Sequence, residues 1–213
     1  MLSRHLLFTA ILTLSLSLAS LAQVTTQPPA TAPPATGAAA VAQPEPSPAS
    51  EIDTAFVQKQ FGSEFRFEPK YPVLKSDFDG DGIEDIAIVA RAKNPMVDEA
   101  EHKYRVLDPY YGFYGTGDPR ITTSFGSDDP EAKGLVVCII HGSGAEAWRA
   151  TDAKAKFVIV NLPFKQVAVK RIQIKKKLVN AIYAEVSSTI QDSSVIFFDG
   201  KKYKYQPMGS ELQ

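Results

Sequence analysis

Nine consecutive residues hold the side chains best spaced to do chemistry: Asp77-Phe78-Asp79-Gly80-Asp81-Gly82-Ile83-Glu84-Asp85. Aspartates stand at positions 1, 3, 5 and 9 of this run, with glycines between them. Clustered carboxylates repel one another unless a cation offsets them. A hard divalent ion such as Ca²⁺ takes several oxygen ligands at about 2.3–2.6 Å, so a short loop that holds one must fold its side chains inward. Gly80 and Gly82 supply the backbone freedom for that turn, because glycine enters the φ > 0 region at little cost. The pattern predicts that Asp77, Asp79, Asp81 and Asp85 converge on Ca²⁺, with the Ile83 carbonyl as a backbone ligand. The alternative is an acidic, solvated Asp-Gly hairpin without an ion.

The elements around the loop narrow its type. An EF-hand requires a bidentate Glu at position 12 and flanking helices, but position 12 here is Ile88. Ile86-Ala87-Ile88-Val89-Ala90 is a short unbroken apolar run and predicts a buried strand. Tyr71 to Lys75 predicts another extended segment, so the loop joins two strands. An acidic loop of this pattern feeding a buried strand resembles the Ca²⁺ loop of FG-GAP (integrin-type) and VCBS-like repeats. The resemblance covers Ser76 to Ala90. Those repeats build multi-bladed propellers, whereas this chain carries the motif once and has about eight candidate strands, too few for the four or more four-stranded blades of a propeller.

Other chemistry-bearing residues are weaker. Val136 to Gly144 is a buried strand running into His141-Gly142-Ser143-Gly144, and a small exported hydrolase using that loop is the alternative functional reading. The α/β-hydrolase order of G-x-S-x-G, acid and His is absent, since no such elbow occurs and no His follows His141. His102 and His141 show no zinc-ligand spacing, and Asp98, Glu99, Glu101 and His102 predict a solvated loop or helical turn. Asp108 to Pro119 holds Tyr110, Tyr111, Phe113 and Tyr114 among Gly and Pro. It predicts either a packed loop or a contact surface, with Tyr110, Tyr111 and Tyr114 as candidate contacts for a protein or glycan partner. Lys165, Lys170, Arg171, Lys175, Lys176 and Lys177 form a basic stretch on predicted strands. It predicts either charge that guards a sheet edge or a site for an anionic polymer; no interleaved aromatics suggest nucleic acid.

The elements that must position these residues are mostly strands. Asp53 predicts the cap of a short helix over Thr54 to Gln60, closed by Gly62. Strands are predicted over 71–75, 84–91, 134–140, 156–162, 166–177, 180–187, 193–198 and 201–206. Asp199-Gly200 between the last two is a two-residue hairpin signal, with Tyr203 and Tyr205 alternating against Lys202 and Lys204. The expected fold is mainly β: an antiparallel sheet, sandwich or roll with a short N-terminal helix and one FG-GAP-type Ca²⁺ loop.

Arg4, the apolar Leu6 to Leu18 and the small residues Ser20 and Ala22 predict a signal peptide over 1–22. Residues 23–50 hold Pro28, Pro29, Pro33, Pro34, Pro44, Pro46 and Pro48 but only one charged side chain, Glu45. That composition predicts a disordered spacer. Residues 51–213 then form the β domain. A net charge of −1 gives no large single-sign field that would argue for nucleic acid or acidic membranes as partners, and the lone Cys138, set in an apolar run, predicts a small core residue rather than a nucleophile. Together these features predict an extracytoplasmic (periplasmic or secreted), non-enzymatic, Ca²⁺-stabilised binding module, with no membrane span once the signal is removed.

Overall fold

Two runs apolar at every position, Ile86–Ala90 and Leu135–Ile140, suit strands covered on both faces, and they form the centre of the fold. The computed structural model describes residues 51–115, 127 and 129–209. These belong to one compact unit. The signal and spacer expectations for 1–22 and 23–50, and residues 116–119 of the Tyr-rich segment, lie outside the described residues.

The chain begins with helix α1 (Thr54–Phe61), capped by Asp53, whose Oδ1 accepts the Phe56 N–H at 2.7 Å, and closed by Gly62 at φ 103°. Strands follow as β1 (Phe65–Phe67), β2 (Leu74–Ser76), β3 (Asp85–Ala92) and β4 (Tyr104–Leu107). A second helix, α2 (Pro109–Tyr114), precedes β5 (Leu135–His141), β6 (Ala155–Ile159), β7 (Gln166–Ile174), β8 (Lys177–Glu185), β9 (Ser193–Phe198) and β10 (Tyr203–Pro207). One sheet has the order β1-β3-β5-β6-β4, with β2 also paired to β3. The second is β10-β9-β8-β7. Pairing is antiparallel except between β4 and β6, which run parallel.

The side-chain period of two assigns the faces of the first sheet. Ala87, Val89, Val137, Ile139, Phe157 and Ile159 point toward the second sheet and pack with Val167, Ile182, Ile196 and Tyr203. Ile86, Ile88, Val136, Cys138, Ile140 and Val158 point the other way, onto Val57 and Phe61 of α1 and onto Trp148. The result is a mainly β sandwich with a short helix on its outer face, as the sequence predicts.

Three local expectations are corrected. The predicted strand 166–177 is broken by a turn at Lys175-Lys176, where Ile174 pairs with Lys177 and Lys175 takes φ 56°. No Gly, Asn or Asp marks that turn. The Asp199-Gly200 hairpin forms, but Phe198 pairs with Tyr203, so its loop runs over Asp199–Lys202. Asp199 Oδ1 accepts the N–H groups of Lys201 and Lys202 and closes the longer turn. Finally, the start of the Tyr-rich segment is helical rather than loop. Asp108 Oδ1 caps it by accepting the Tyr111 N–H at 2.9 Å, and Pro109 takes the first turn, where a missing N–H costs nothing.

Candidate metal centre

The acidic loop leaves β2 at Ser76 and returns to β3 at Asp85, residues that face each other across the β2–β3 ladder. Phe78 is the anchor: its ring is buried between the two sheets. Fixing Phe78 inward fixes the aspartates on either side of it. Gly80 and Gly82 adopt φ 80° and 86°, the left-handed conformation their residue type permits.

The loop organises itself through its own carboxylates. Asp77 Oδ1 accepts the N–H groups of Gly80 and Asp81, and its Oδ2 accepts that of Gly82. Asp79 Oδ1 accepts the Asp81 N–H, and Asp81 Oδ1 accepts the Ile83 N–H. One ligand oxygen each from Asp77, Asp79 and Asp81 lies within 4.8 Å of the other two. These are hard oxygen donors close enough together that they could hold one cation.

A cationic side chain already faces them. Lys154 reaches in from the segment before β6, with Nζ 2.7 Å from Asp79 Oδ2 and 2.6 Å from Asp81 Oδ2. Its ammonium holds the Asp81 carboxyl below the ordinary range. The Lys154 pKa is raised in turn, by its hydrogen bonds to Asp79 and Asp81.

Asp85 belongs to a second group. Its side chain is fully buried. Oδ2 accepts the N–H groups of Phe78 at 2.7 Å and Asp79 at 3.3 Å, and Oδ1 accepts that of Gly142 at 2.8 Å. Burial nevertheless pushes its pKa up to about 7. Asp85 therefore closes both ends of the loop and ties it to the end of β5. Oxygens of Asp79 and Asp85 and a ring nitrogen of His141 also lie within 4.8 Å of one another.

His141 is buried as well, at 1 % exposure, with Nδ1 3.3 Å from Asp79 Oδ2 and Nε2 2.7 Å from the Tyr203 hydroxyl. Burial pushes its pKa down to about 4, and burial likewise raises that of Tyr203. Both ring nitrogens thus lie against protein groups. The hydrolase reading needs an accessible base beside Ser143, and this His is instead a core linker between the loop and β10.

Of the sequence-predicted ligands, Asp77, Asp79 and Asp81 come together, and Asp85 lies behind them. Ile83 is half-buried at the loop's end, its N–H on Asp81. Lys154 and Tyr203 escape sequence reasoning as site residues, and His141 and Gly142 enter it only through the hydrolase loop, because their contacts with the acidic loop are made across long stretches of chain. Of the candidate contact residues, Tyr110 is half-buried against Tyr205, with ring centroids 5.2 Å apart. Tyr111 and Tyr114 are 39 % and 54 % exposed. Beside Tyr110 and Tyr111 lies a groove of ≈ 320 Å³ shared with Tyr71, Asn161 and Phe164. No helix among the described residues is long and apolar enough to cross a membrane.

No family model, no curated protein and no solved structure matches this chain.

Proposed function

We propose that the domain is an extracytoplasmic, non-catalytic Ca²⁺-binding β module of FG-GAP or VCBS-like loop type, in which the ion fixes the loop between β2 and β3. The observation that carries this reading is the convergence of Asp77, Asp79 and Asp81 oxygens within 4.8 Å on a loop whose glycines and carboxylates already hold its shape. Asp77, Asp79 and Asp81 are the side-chain ligands, and the Ile83 carbonyl is the backbone ligand. Asp85 is assigned to closing the loop, since its two oxygens carry three backbone N–H groups. The extracytoplasmic setting rests on the apolar Leu6 to Leu18 segment and the small residues after it.

Extracellular Ca²⁺ modules bind at about 0.1–1 mM. At about 1 mM Ca²⁺ and a Kd near 0.1 mM, binding stabilises the native state by about 1.4 kcal/mol. That corresponds to a Tm rise of about 3–5 °C for a domain this size. Thermal unfolding in Ca²⁺ against EDTA, with calorimetric titration, tests the reading. Unchanged midpoints together with no heat of binding would overturn it. Tyr111, which lines the groove, and the exposed Tyr114 are the candidate contacts for a protein or glycan partner, tested by alanine substitution in a glycan-array or pull-down assay.

A further inference from the structure

The β7–β8 hairpin is longer than the sheet it belongs to. β9 pairs with β8 only from Ile182 to Glu185, whereas β7 and β8 pair from Gln166–Glu185 out to Ile174–Lys177. From Lys170 to Ala181 the two strands therefore form a ribbon with no third hydrogen-bonded strand among the described residues, β2 lying against β7 only near the base. Such a ribbon has little stability of its own. It is fastened near its base, where Asn180 Nδ2 donates to the Asp77 carbonyl at 2.8 Å and Ile172 packs near Tyr183.

The charge on this projection has one sign. Lys170, Arg171, Lys175, Lys176 and Lys177 are all exposed, and residues 166–180 contain no Asp or Glu. Among the described residues no carboxylate lies within ion-pair distance of any of the five cations. Lys170 lies over the Tyr183 ring, and the others project to solvent. Lysines that merely guard a sheet edge would be spread along β7. Here three stand in succession at the far end. One of them, Lys175, holds φ 56°, where glycine or asparagine is the unstrained choice. The chain keeps a lysine there at a conformational cost.

Aliphatic side chains share the tip. Leu178 is 59 % exposed, and Ile172, Ile174 and Val179 are half-buried. A lone exposed leucine is ordinary. Set among unneutralised lysines at the end of a projecting ribbon, it suits an interface that is anionic outside and apolar just beneath. A polyanionic sugar or nucleic acid would use the lysines but has no use for Leu178, and the ribbon beyond Tyr183 has no aromatic ring for stacking.

We infer that the tip of the β7–β8 ribbon docks on an anionic lipid surface, with Lys175, Lys176 and Lys177 against the headgroups and Leu178 entering the interface. The physics is that of peripheral membrane binding by a basic patch with an apolar insert. The inference stands apart from the Ca²⁺ reading, since it uses none of the loop's carboxylates.

The test is a Leu178→Trp variant of the full chain. The native Trp148 is buried, so the new indole alone reports on the tip. The apolar Leu6 to Leu18 segment is common to every variant, so differences between variants report on the tip. Vesicles of phosphatidylcholine containing phosphatidylglycerol should shift the emission to the blue, while phosphatidylcholine alone should not. The shift should fade as salt is raised. In the same background, Lys175→Glu/Lys176→Glu/Lys177→Glu should weaken the vesicle titration about tenfold or more. Lys175→Gly, which relieves the left-handed residue, should unfold at the same or higher temperature yet bind vesicles more weakly. No blue shift on anionic vesicles, or a shift untouched by charge reversal, overturns the proposal. Lysine-dependent binding to a polysulfated polysaccharide without any blue shift on vesicles overturns it in favour of a polymer ligand.

Discussion

Lys154 is a tethered rival to any cation at Asp79 and Asp81, because its ammonium lies 2.6–2.7 Å from their Oδ2 atoms. Two unit charges at 4 Å in water interact by about 1 kcal/mol, a factor of about five in affinity. Lys154→Gln should therefore tighten Ca²⁺ binding about fivefold, and a calorimetric Kd that is unchanged or weaker would contradict the competition. Asp79→Asn should weaken Ca²⁺ by about tenfold or more, since ligand charge sets affinity in such loops. The buried pair behind the loop makes a pH prediction for the metal-free protein. Asp85 is raised from 3.8 to about 7, so the stability it contributes is full below pH 3.8 and is lost as pH rises toward 7. His141 is lowered from 6.5 to about 4, so its contribution is full above pH 6.5 and is lost as pH falls toward 4. The two slopes oppose each other across this window, because folding leaves Asp85 protonated and His141 neutral, with no net proton gained. Urea midpoints in EDTA should change little between pH 4 and 6.5 on their account, whereas His141→Gln should leave a stability that declines as pH rises. A flat profile in that variant would refute the assignment. The aspartates were legible in the sequence because their spacing is local. Lys154 and His141 were not, since their contacts with Asp79 span 75 and 62 residues, distances over which spacing carries no information.

At the scale of elements, Gly142 is the joint between the loop and the end of β5. A Cβ there would lie 2.5 Å from the Glu84 carbonyl oxygen and 2.8 Å from the Ala147 carbonyl carbon, both backbone atoms that cannot swing aside. Gly142→Ala should cost about 1–3 kcal/mol and draw the Gly142 N–H away from Asp85. Gly112→Ala is the control: nothing lies within 4 Å of its Cβ, and in α2 it should be neutral or slightly stabilising. Equal thermal midpoints for the two variants would contradict this account. Phe157 is the opposite kind of joint, packing against His141, Phe198 and Tyr203, and Phe157→Ala should cost about 3–5 kcal/mol in denaturant titrations. Elements with a local residue-type signature were legible: α1 through its Asp53 cap and Gly62 stop, and β3 and β5 through unbroken apolar runs. The β7–β8 turn was not, because Lys175 occupies the left-handed position without a residue type that announces it. Strands β1 and β4, three and four residues long, are too short for alternation to stand out.

For the whole molecule, sandwich architecture was legible from strand content and the lack of repeats, but the order of strands was not. Pairing depends on which faces meet, and every central strand is apolar enough to pair with any other. Cys138 offers a measure of how the sandwich opens. It lies on β5 at the middle of the helix-facing core, fully buried, and burial raises its thiol pKa. Thiol labelling should thus track global unfolding, with the same denaturant dependence as loss of the sheet signal, and fast labelling under native conditions would show that the helix layer opens separately. The place of β4 has a consequence for the order of assembly. Among the described residues β4 sits at the far edge of its sheet and pairs only with β6, whose residues are joined to the chain 48 positions later (107 to 155). During synthesis Tyr104 and Val106 therefore emerge well before the strand that covers their backbone exists. Until β6 arrives and docks on β5, that edge is open to another chain, and the interval between the two strands is the period when a half-made molecule is most exposed to mispairing.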